Sequence, residues 1–178
     1  MSNWEAGEAS DEISERIAQC AVLAMLLELS SSPKPGNVDR CHDFSDIGFY
    51  HFLTSAVSAY PIFKKAARGE GTPGALILEG VQAWENWNLE SNTHFGSLVL
   101  MIPIALAAGR AAEREQGHDE KHDEFHEICR ELNQDEEDIR HLRLIDGLGR
   151  ELARVLRSTT VQDAIDFYRA FYLAGARV

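Results

Sequence analysis

Ser10-Asp11-Glu12-Ile13-Ser14-Glu15-Arg16-Ile17-Ala18-Gln19-Cys20-Ala21-Val22-Leu23-Ala24-Met25-Leu26-Leu27-Glu28-Leu29, followed at once by Ser30-Ser31-Ser32-Pro33-Lys34-Pro35-Gly36, decides the fold class. Ser10 can cap a helix whose first turn carries Asp11 and Glu12, acids that suit the positive helix end. Ile13, Ile17, Cys20, Ala21, Ala24 and Leu27 recur at helical steps, which predicts that this stripe faces a core. The run from Ala21 to Leu29 is apolar enough to predict cover on most sides. Pro33 and Pro35 then end the helix, because a proline lacks an amide donor and drives its predecessor out of the α region. Residues 1–9, polar and acidic, read as a disordered tail.

The same logic extends along the chain. Ser45 is predicted to cap a second helix, with Asp46 in its first turn and Phe49, Phe52, Leu53, Ala56, Val57 and Tyr60 along one side; Pro61 should kink or restart it. Gly69-Glu70-Gly71 is a turn, after which Thr72 as cap and Pro73 at the first helical position open a third helix through Trp84. Asn88 to Ser91 breaks it. A fourth helix starts around Asn92 and Thr93 and runs to about Ala112, bent at Pro103. Gly117 to Glu127 is almost wholly charged and reads as an exposed helix start or an excursion. Helical spacing returns between Asp135 and Arg157, and Thr160 with Asp163 forms a capping-box start to a last helix ending near Gly175. No strand-length alternation competes, so the sequence predicts an all-α single-domain bundle over residues 10–178, of about six or seven helices.

Composition narrows the partners. The 178 residues carry 29 acids against 17 Lys and Arg, a net charge of −12 that repels phosphate backbones and anionic lipid. Nucleic acid and membrane surfaces are therefore not expected partners. Cys20, Cys41 and Cys129 fit no CxxC pattern and leave one thiol unpaired in any intramolecular scheme, which suits a reducing compartment. With no signal-like N-terminus, the expected home is the cytoplasm.

Two polar segments could carry chemistry. Lys34-Pro35-Gly36-Asn37-Val38-Asp39-Arg40-Cys41-His42-Asp43, with Ser45-Asp46 after it, gathers cations, carboxylates, an amide and an imidazole on a backbone stiffened by Pro35 and allowed close approach by Gly36. Such a loop can hold a polyphosphate, with Lys34 and Arg40 meeting the phosphates and Asp39, Asp43 and Asp46 offering oxygens to Mg2+. Read alone, it is equally a polar helix connection. Ser91-Asn92-Thr93-His94-Phe95-Gly96-Ser97 leads straight into a very apolar helix, where free amides favour phosphate or developing negative charge; equally, Asn92 or Thr93 is a cap and His94 a satisfied core histidine. His118, His122, His126 and Cys129 share a helical face, yet the acids and lysine between them read as a solvated surface rather than a metal site. Trp84 and Trp87 read as core and rim, not as a base-stacking platform.

Taken in order, Lys34-Pro35-Gly36-Asn37-Val38-Asp39-Arg40, then His42-Asp43, the helix with Phe52, Leu53, Ser55 and Ala56, and then Asn92-Thr93-His94-Phe95-Gly96 resemble the signatures of triphosphoribosyl-dephospho-CoA synthases. The likeness covers residues 10–112 and continues more faintly from Thr159 to Tyr172, in the style of the archaeal-type branch. It implies an all-helical enzyme that moves the triphosphoribosyl unit of ATP onto the ribose 2′-hydroxyl of 3′-dephospho-CoA and releases adenine. On that reading Lys34, Gly36, Asn37, Arg40, Asn92, Thr93 and Gly96 bind the nucleotide, Asp39, Asp43 and Asp46 bind Mg2+ or oppose positive charge at the ribosyl carbon, and Asp39 and His94 act in catalysis. Complete members are longer and carry further motifs in a second half, so the chain is expected to be a fragment, a short form, or one part of an oligomer or of a pair with a second subunit. Two other readings stay open: a non-catalytic helical nucleotide-binding or subunit-pairing protein, and a metal-dependent phosphohydrolase of the HD type built on His42-Asp43.

Overall fold

A computed structural model describes residues 3–87, 89, 93–117 and 136–175. Among these residues the chain forms seven helices and no strand: α1 (Asn3–Ser30), α2 (Phe49–Ser58), α3 (Tyr60–Ala67), α4 (Pro73–Glu85), α5 (Phe95–Gly117), α6 (Glu136–Arg157) and α7 (Val161–Leu173). The all-α class is the one expected. His118, His122, His126, Cys129, Ser91 and Asn92 lie outside the described residues.

α5 is the central helix. It packs against α1, α3, α4 and α6, while α7 lies along α4 and α2 sits on α1. By length and composition α5 would suffice to cross a membrane, but Leu98, Ile102 and Leu106 are fully buried in the bundle. Leu76, Phe63, Trp84 and Met25 complete the main core from α4, α3 and α1. Close helix approach depends on small residues: a Cβ on Gly109 of α5 would stand 1.8 Å from the carbonyl oxygen of Ala67 in α3. Trp87, as expected of a rim residue, is exposed whereas Trp84 is buried.

The face of α1 differs from the expected stripe. Ser14, Ala18, Ala21, Met25 and Leu29 are buried, whereas Cys20 and Ala24 are exposed, as are Leu23 and Leu27 at 54% and 63%. The side with the smallest residues faces inward, because Ala18 and Ala21 let α1 close on α3 and α5, whose own Ala66, Ala67, Ala105 and Ala107 are buried. The run from Ala21 to Leu29 is therefore covered on one side only. α1 also begins at Asn3, ahead of the expected cap at Ser10, so residues 3–9 of the expected tail are helical. The stretch Trp4-Glu5-Ala6-Gly7-Glu8-Ala9 is rich in Ala and Glu, good helix formers that extend the helix past the serine.

Three boundaries follow their local chemistry. Ala59 interrupts the chain between α2 and α3, with Pro61 inside the first turn of α3. Pro73 opens α4 after Thr72, as its missing amide and fixed φ favour. Thr160 and Asp163 form the expected capping box: the Thr160 amide donates to Asp163 Oδ2 at 2.8 Å, and the Asp163 amide points back to Thr160 Oγ1 at 3.4 Å. The start of α2 departs from expectation. Gly48, not Ser45, is its N-cap, and the amides of Gly48 and Phe49 are taken by His51 Nδ1 at 3.0 Å and Asp43 Oδ1 at 2.6 Å. Ser45 loses the role because the Asp43 carboxylate reaches the helix start across the loop. A side chain at position 48 would collide with that carboxylate at 2.8 Å, so glycine is needed there.

Candidate active site

Residues 31–48 form a loop between α1 and α2, anchored from below and wired from within. Val38 supplies the anchor: it is 1% exposed and packs with Leu29 and Phe52 in a small second core flanked by Ile47, Phe49 and Leu53. Pro35-Gly36 supplies the turn. The Asn37 amide donates to the Lys34 carbonyl at 3.1 Å and Gly36 has φ +76°, the pattern of a turn with proline then glycine at its centre. A Cβ at Gly36 would meet nothing within 4 Å, so glycine serves the backbone angle here and not the expected close approach.

Asp39 is the wiring. It is 1% exposed; Oδ1 accepts from the Cys41 amide at 2.7 Å and pairs with His42 Nδ1 at 2.9 Å, while Oδ2 accepts from the Lys34 amide at 3.0 Å and the Ser32 hydroxyl at 3.2 Å. A carboxylate has about four lone-pair sites, and these donors use them. The Cys41 amide, with the His42, Lys34 and Ser32 donors behind it, outweighs burial and holds the carboxyl well below the usual range. This carboxylate holds the loop together and has no oxygen to spare for a metal.

Lys34, 12% exposed at its side chain, reaches back over α1, with Nζ 2.7 Å from Glu28 Oε1. The contact is an ion pair without hydrogen-bond alignment, so the ammonium keeps directed donors for other oxygens. Glu28 and Lys34 both act on His94, the last residue before α5, in opposite senses. His94 is 3% exposed and stands edge-on to the Phe52 ring at 5.0 Å. Its Nδ1 lies 2.6 Å from Ser55 Oγ of α2, and the Ser55 hydroxyl is also 3.1 Å from the Phe52 carbonyl. Among the described residues His94 Nε2 and Thr93 Oγ1 are buried with no hydrogen-bond partner. Burial, reinforced by Lys34 and opposed by Glu28, lowers the His94 pKa to about 4, so the imidazole is neutral at physiological pH.

Lys34 and His94 are thus brought to one junction, whereas the expected metal set is not assembled. Among the described residues no group of three His, Cys, Asp or Glu side chains is placed to hold a metal ion. Asp39 is saturated, Asp43 caps α2, and Asp46 is exposed in the loop. His42 and Asp43, the pair of the HD reading, are instead bonded apart, His42 to Asp39 and Asp43 to the Phe49 amide. Arg40 is exposed, and Asn37 turns its Oδ1 onto the Val38 amide at 2.8 Å. Gly96 is exposed, with nothing within 4 Å of the Cβ it lacks, so it gives room at the start of α5 and is not a packing glycine.

The family model described as CitG, ATP:dephospho-CoA triphosphoribosyl transferase, matches residues 14–178. The chain belongs to this family. A 2-(5''-triphosphoribosyl)-3'-dephosphocoenzyme-A synthase of Haemophilus ducreyi is 27% identical over 183 residues, which cover 92% of this chain and 55% of that protein. Probable synthases of the same name from Albidiferax ferrireducens and Pseudomonas syringae pv. tomato are 29% and 35% identical over 120 and 101 residues, covering 60% and 48% of this chain and 40% and 34% of theirs. This triphosphoribosyl transferase family chain therefore spans about half the length, or less, of these curated relatives. No solved structure matches it significantly.

Two residues at this site in the triphosphoribosyl transferase family chain escaped the sequence reading of roles. Glu28 is the single charged residue between Ala21 and Leu29, an oddity in an apolar run that marks it. Ser55 was legible only as part of the family likeness, since a serine inside a helix commonly bonds its own backbone. Away from this junction, an open groove of about 630 Å³ lies between α4 and α7, lined by Leu78, Gln82, Ile165, Tyr168, Arg169 and Tyr172 among others.

Proposed function

We propose that the chain binds ATP where loop 31–48 meets the start of α5 and transfers its triphosphoribosyl unit to the ribose 2′-hydroxyl of 3′-dephospho-CoA. The carrying observation is the buried Nε2 of a neutral His94, without a hydrogen-bond partner among the described residues, a base in waiting within the field of the Lys34 ammonium. In the reaction the C1′–N9 bond of ATP breaks and adenine leaves with the bonding pair. The 2′-oxygen of the acceptor forms the new bond to C1′; its proton passes to His94 Nε2 and is then given up to the departing adenine, which leaves neutral and returns the imidazole to its starting state. Lys34, and Arg40 once the loop closes on the nucleotide, meet the triphosphate; the Thr93 hydroxyl donates to it. Gly96 completes the cradle, with the room over it taken by the ligand, and Asn92 is assigned to the nucleotide by the family resemblance alone.

On this reading exposed Asp46 would be the protein contact for Mg2+ bound with the triphosphate, since magnesium commonly binds through one or two carboxylates plus substrate phosphates. The ion neutralises phosphate charge, and no carboxylate cage is required. The chain is a cytoplasmic enzyme.

Incubation with ATP, Mg2+ and 3′-dephospho-CoA, following adenine by chromatography, tests the proposal. Adenine release that requires the acceptor, and is lost in His94→Gln, supports it. Release of phosphate or pyrophosphate instead, or no turnover at any concentration, overturns it.

A second reading is favoured by one observation on α7. Val161, Ile165, Tyr168 and Tyr172 follow one another at helical steps along that helix and are 79%, 42%, 70% and 84% exposed. In this reading the chain pairs through α7 with a second copy of itself, and activity awaits pairing. Sedimentation velocity over a concentration series decides: a dimer broken by Tyr172→Glu supports pairing, and a monomer throughout rejects it.

A further inference from the structure

We infer that Ser55 is a positioning residue: it fixes His94 as the tautomer protonated on Nδ1, so that Nε2 presents a bare lone pair toward the site. A neutral imidazole carries one ring proton, and the partner of one nitrogen decides where it sits. The Ser55 hydroxyl likewise has one proton to give. It stands 3.1 Å from the Phe52 carbonyl, which can only accept, and 2.6 Å from His94 Nδ1. When the hydroxyl donates to Phe52, its oxygen accepts from Nδ1–H and every proton in the chain has a place.

The opposite arrangement places the histidine proton on Nε2. That atom is buried and, among the described residues, has no acceptor. Buried N–H groups without an acceptor are rarer than under-used acceptors, so the network resolves toward Nδ1–H. The surroundings agree. Lys34, itself a donor, is one of the charged groups acting on His94, and Glu28, the other, is ion-paired to that lysine. The Phe52 ring lies T-shaped to the imidazole, with centroids 5.0 Å apart. Both Ser55 and His94 are buried, at 0% and 3% exposure, so water does not exchange freely into the pair.

The consequence for catalysis rests on the proposed transfer reaction, whereas the tautomer itself does not. An acceptor at Nε2 can take a proton from a hydroxyl; a donor there cannot. Losing the outer partner that orients a metal-bound histidine typically costs on the order of 10–100-fold, and a loss of that order is the expectation for Ser55 and His94.

Nitrogen-15 NMR of the histidine rings in the full chain tests the inference, with the His94 signals assigned by their loss in His94→Gln. The expected wild-type spectrum near neutral pH shows a protonated-type Nδ1 and a bare-type Nε2. A protonated-type Nε2 overturns the inference, and needs no variant that might fail to fold. In Ser55→Ala the His94 signals should move toward the other tautomer or an average of the two, and Ser55→Thr should restore them; unchanged signals in Ser55→Ala also overturn it. In the adenine assay Ser55→Ala should lower kcat about 10–100-fold with the KM for ATP unchanged. An Nδ1–H tautomer in a chain that releases no adenine leaves this inference standing while the transfer reading falls.

Discussion

The amide of Gly74 in the first turn of α4 donates to Oδ1 of Asp163 in the first turn of α7 across 2.9 Å, and a Cβ on Gly74 would stand 2.3 Å from the Asp163 carbonyl oxygen. Two helix starts thus meet backbone to backbone, and one carboxylate caps both. Gly74→Ala should separate them and destabilise the fold by about 3 kcal/mol, as overpacking of a tight contact does. Asp163→Ala should cost roughly 2–4 kcal/mol, because the Gly74 and Thr160 amides are left without their acceptor. Urea unfolding followed by circular dichroism measures both. Burial works to raise the Asp163 pKa, but the bonds from Thr72, Thr160 and Gly74 outweigh it and hold the group at about 2 against 3.8 when free. Its stabilisation is therefore full above about pH 4 and declines as pH falls toward 2. Asp163→Ala should lack that part of the acid limb.

The crossing of α3 and α5 makes a stricter test of packing. At Gly109 the missing Cβ would stand 1.8 Å from the Ala67 carbonyl oxygen, a contact that no side-chain rotation relieves. Gly109→Ala should reduce Tm more than Gly36→Ala, which meets open space and costs only the strain of a positive φ. Scanning calorimetry of the two variants side by side checks the order, and equal losses would show that α3 and α5 yield to each other.

Local signals in this sequence were readable where one residue type settles a boundary. Pro61, Pro73 and the Thr160–Asp163 pair mark their helices because a missing donor or a capping side chain acts within a single turn. The face of α1 was not readable in the same way. Its isoleucines and leucines follow helical periodicity, yet the inward side is chosen by how closely α3 and α5 approach, which Ala18 and Ala21 permit and no pattern on α1 alone reveals. The site divides similarly. His94 and Lys34 were legible as chemistry in a polar segment, but whether a carboxylate is spent or free depends on donors around it. Asp39, the most suggestive acid in the loop, proves to be the one with no lone pair to offer.

That saturation separates two roles for Asp39. Asp39→Asn replaces one acceptor oxygen by an amide nitrogen facing two donors, so loop 31–48 should loosen while the helices remain. Amide hydrogen exchange at Cys41 and Lys34 should speed up by an order of magnitude or more, and ATP affinity by calorimetry should fall about tenfold, with far-ultraviolet circular dichroism unchanged. A metal-ligand role predicts the reverse pattern: weaker dependence on Mg2+ with exchange at Cys41 untouched. Seeing that pattern would return Asp39 to the metal.

His94 gives the pH prediction. Burial, opposed by Glu28 and aided to a lesser degree by Lys34, takes its pKa from 6.5 to about 4 in the folded chain. Between those values the unfolded chain binds more protons than the folded one, so stability must decline as pH falls from about 6.5 to about 4 and level off below. The full loss from this one group is about 3 kcal/mol, of which about 2 kcal/mol should have appeared by about pH 5. His94→Gln cannot take up the proton, so its unfolding free energy should fall less than that of the wild-type chain between about pH 7.5 and about pH 5, by the same ~2 kcal/mol. Chemical denaturation at the two pH values, with a constant denaturant slope as the check on two-state behaviour, measures the difference. Parallel decline in both proteins would mean that His94 titrates normally, and with it would go the neutral imidazole on which the base assignment depends.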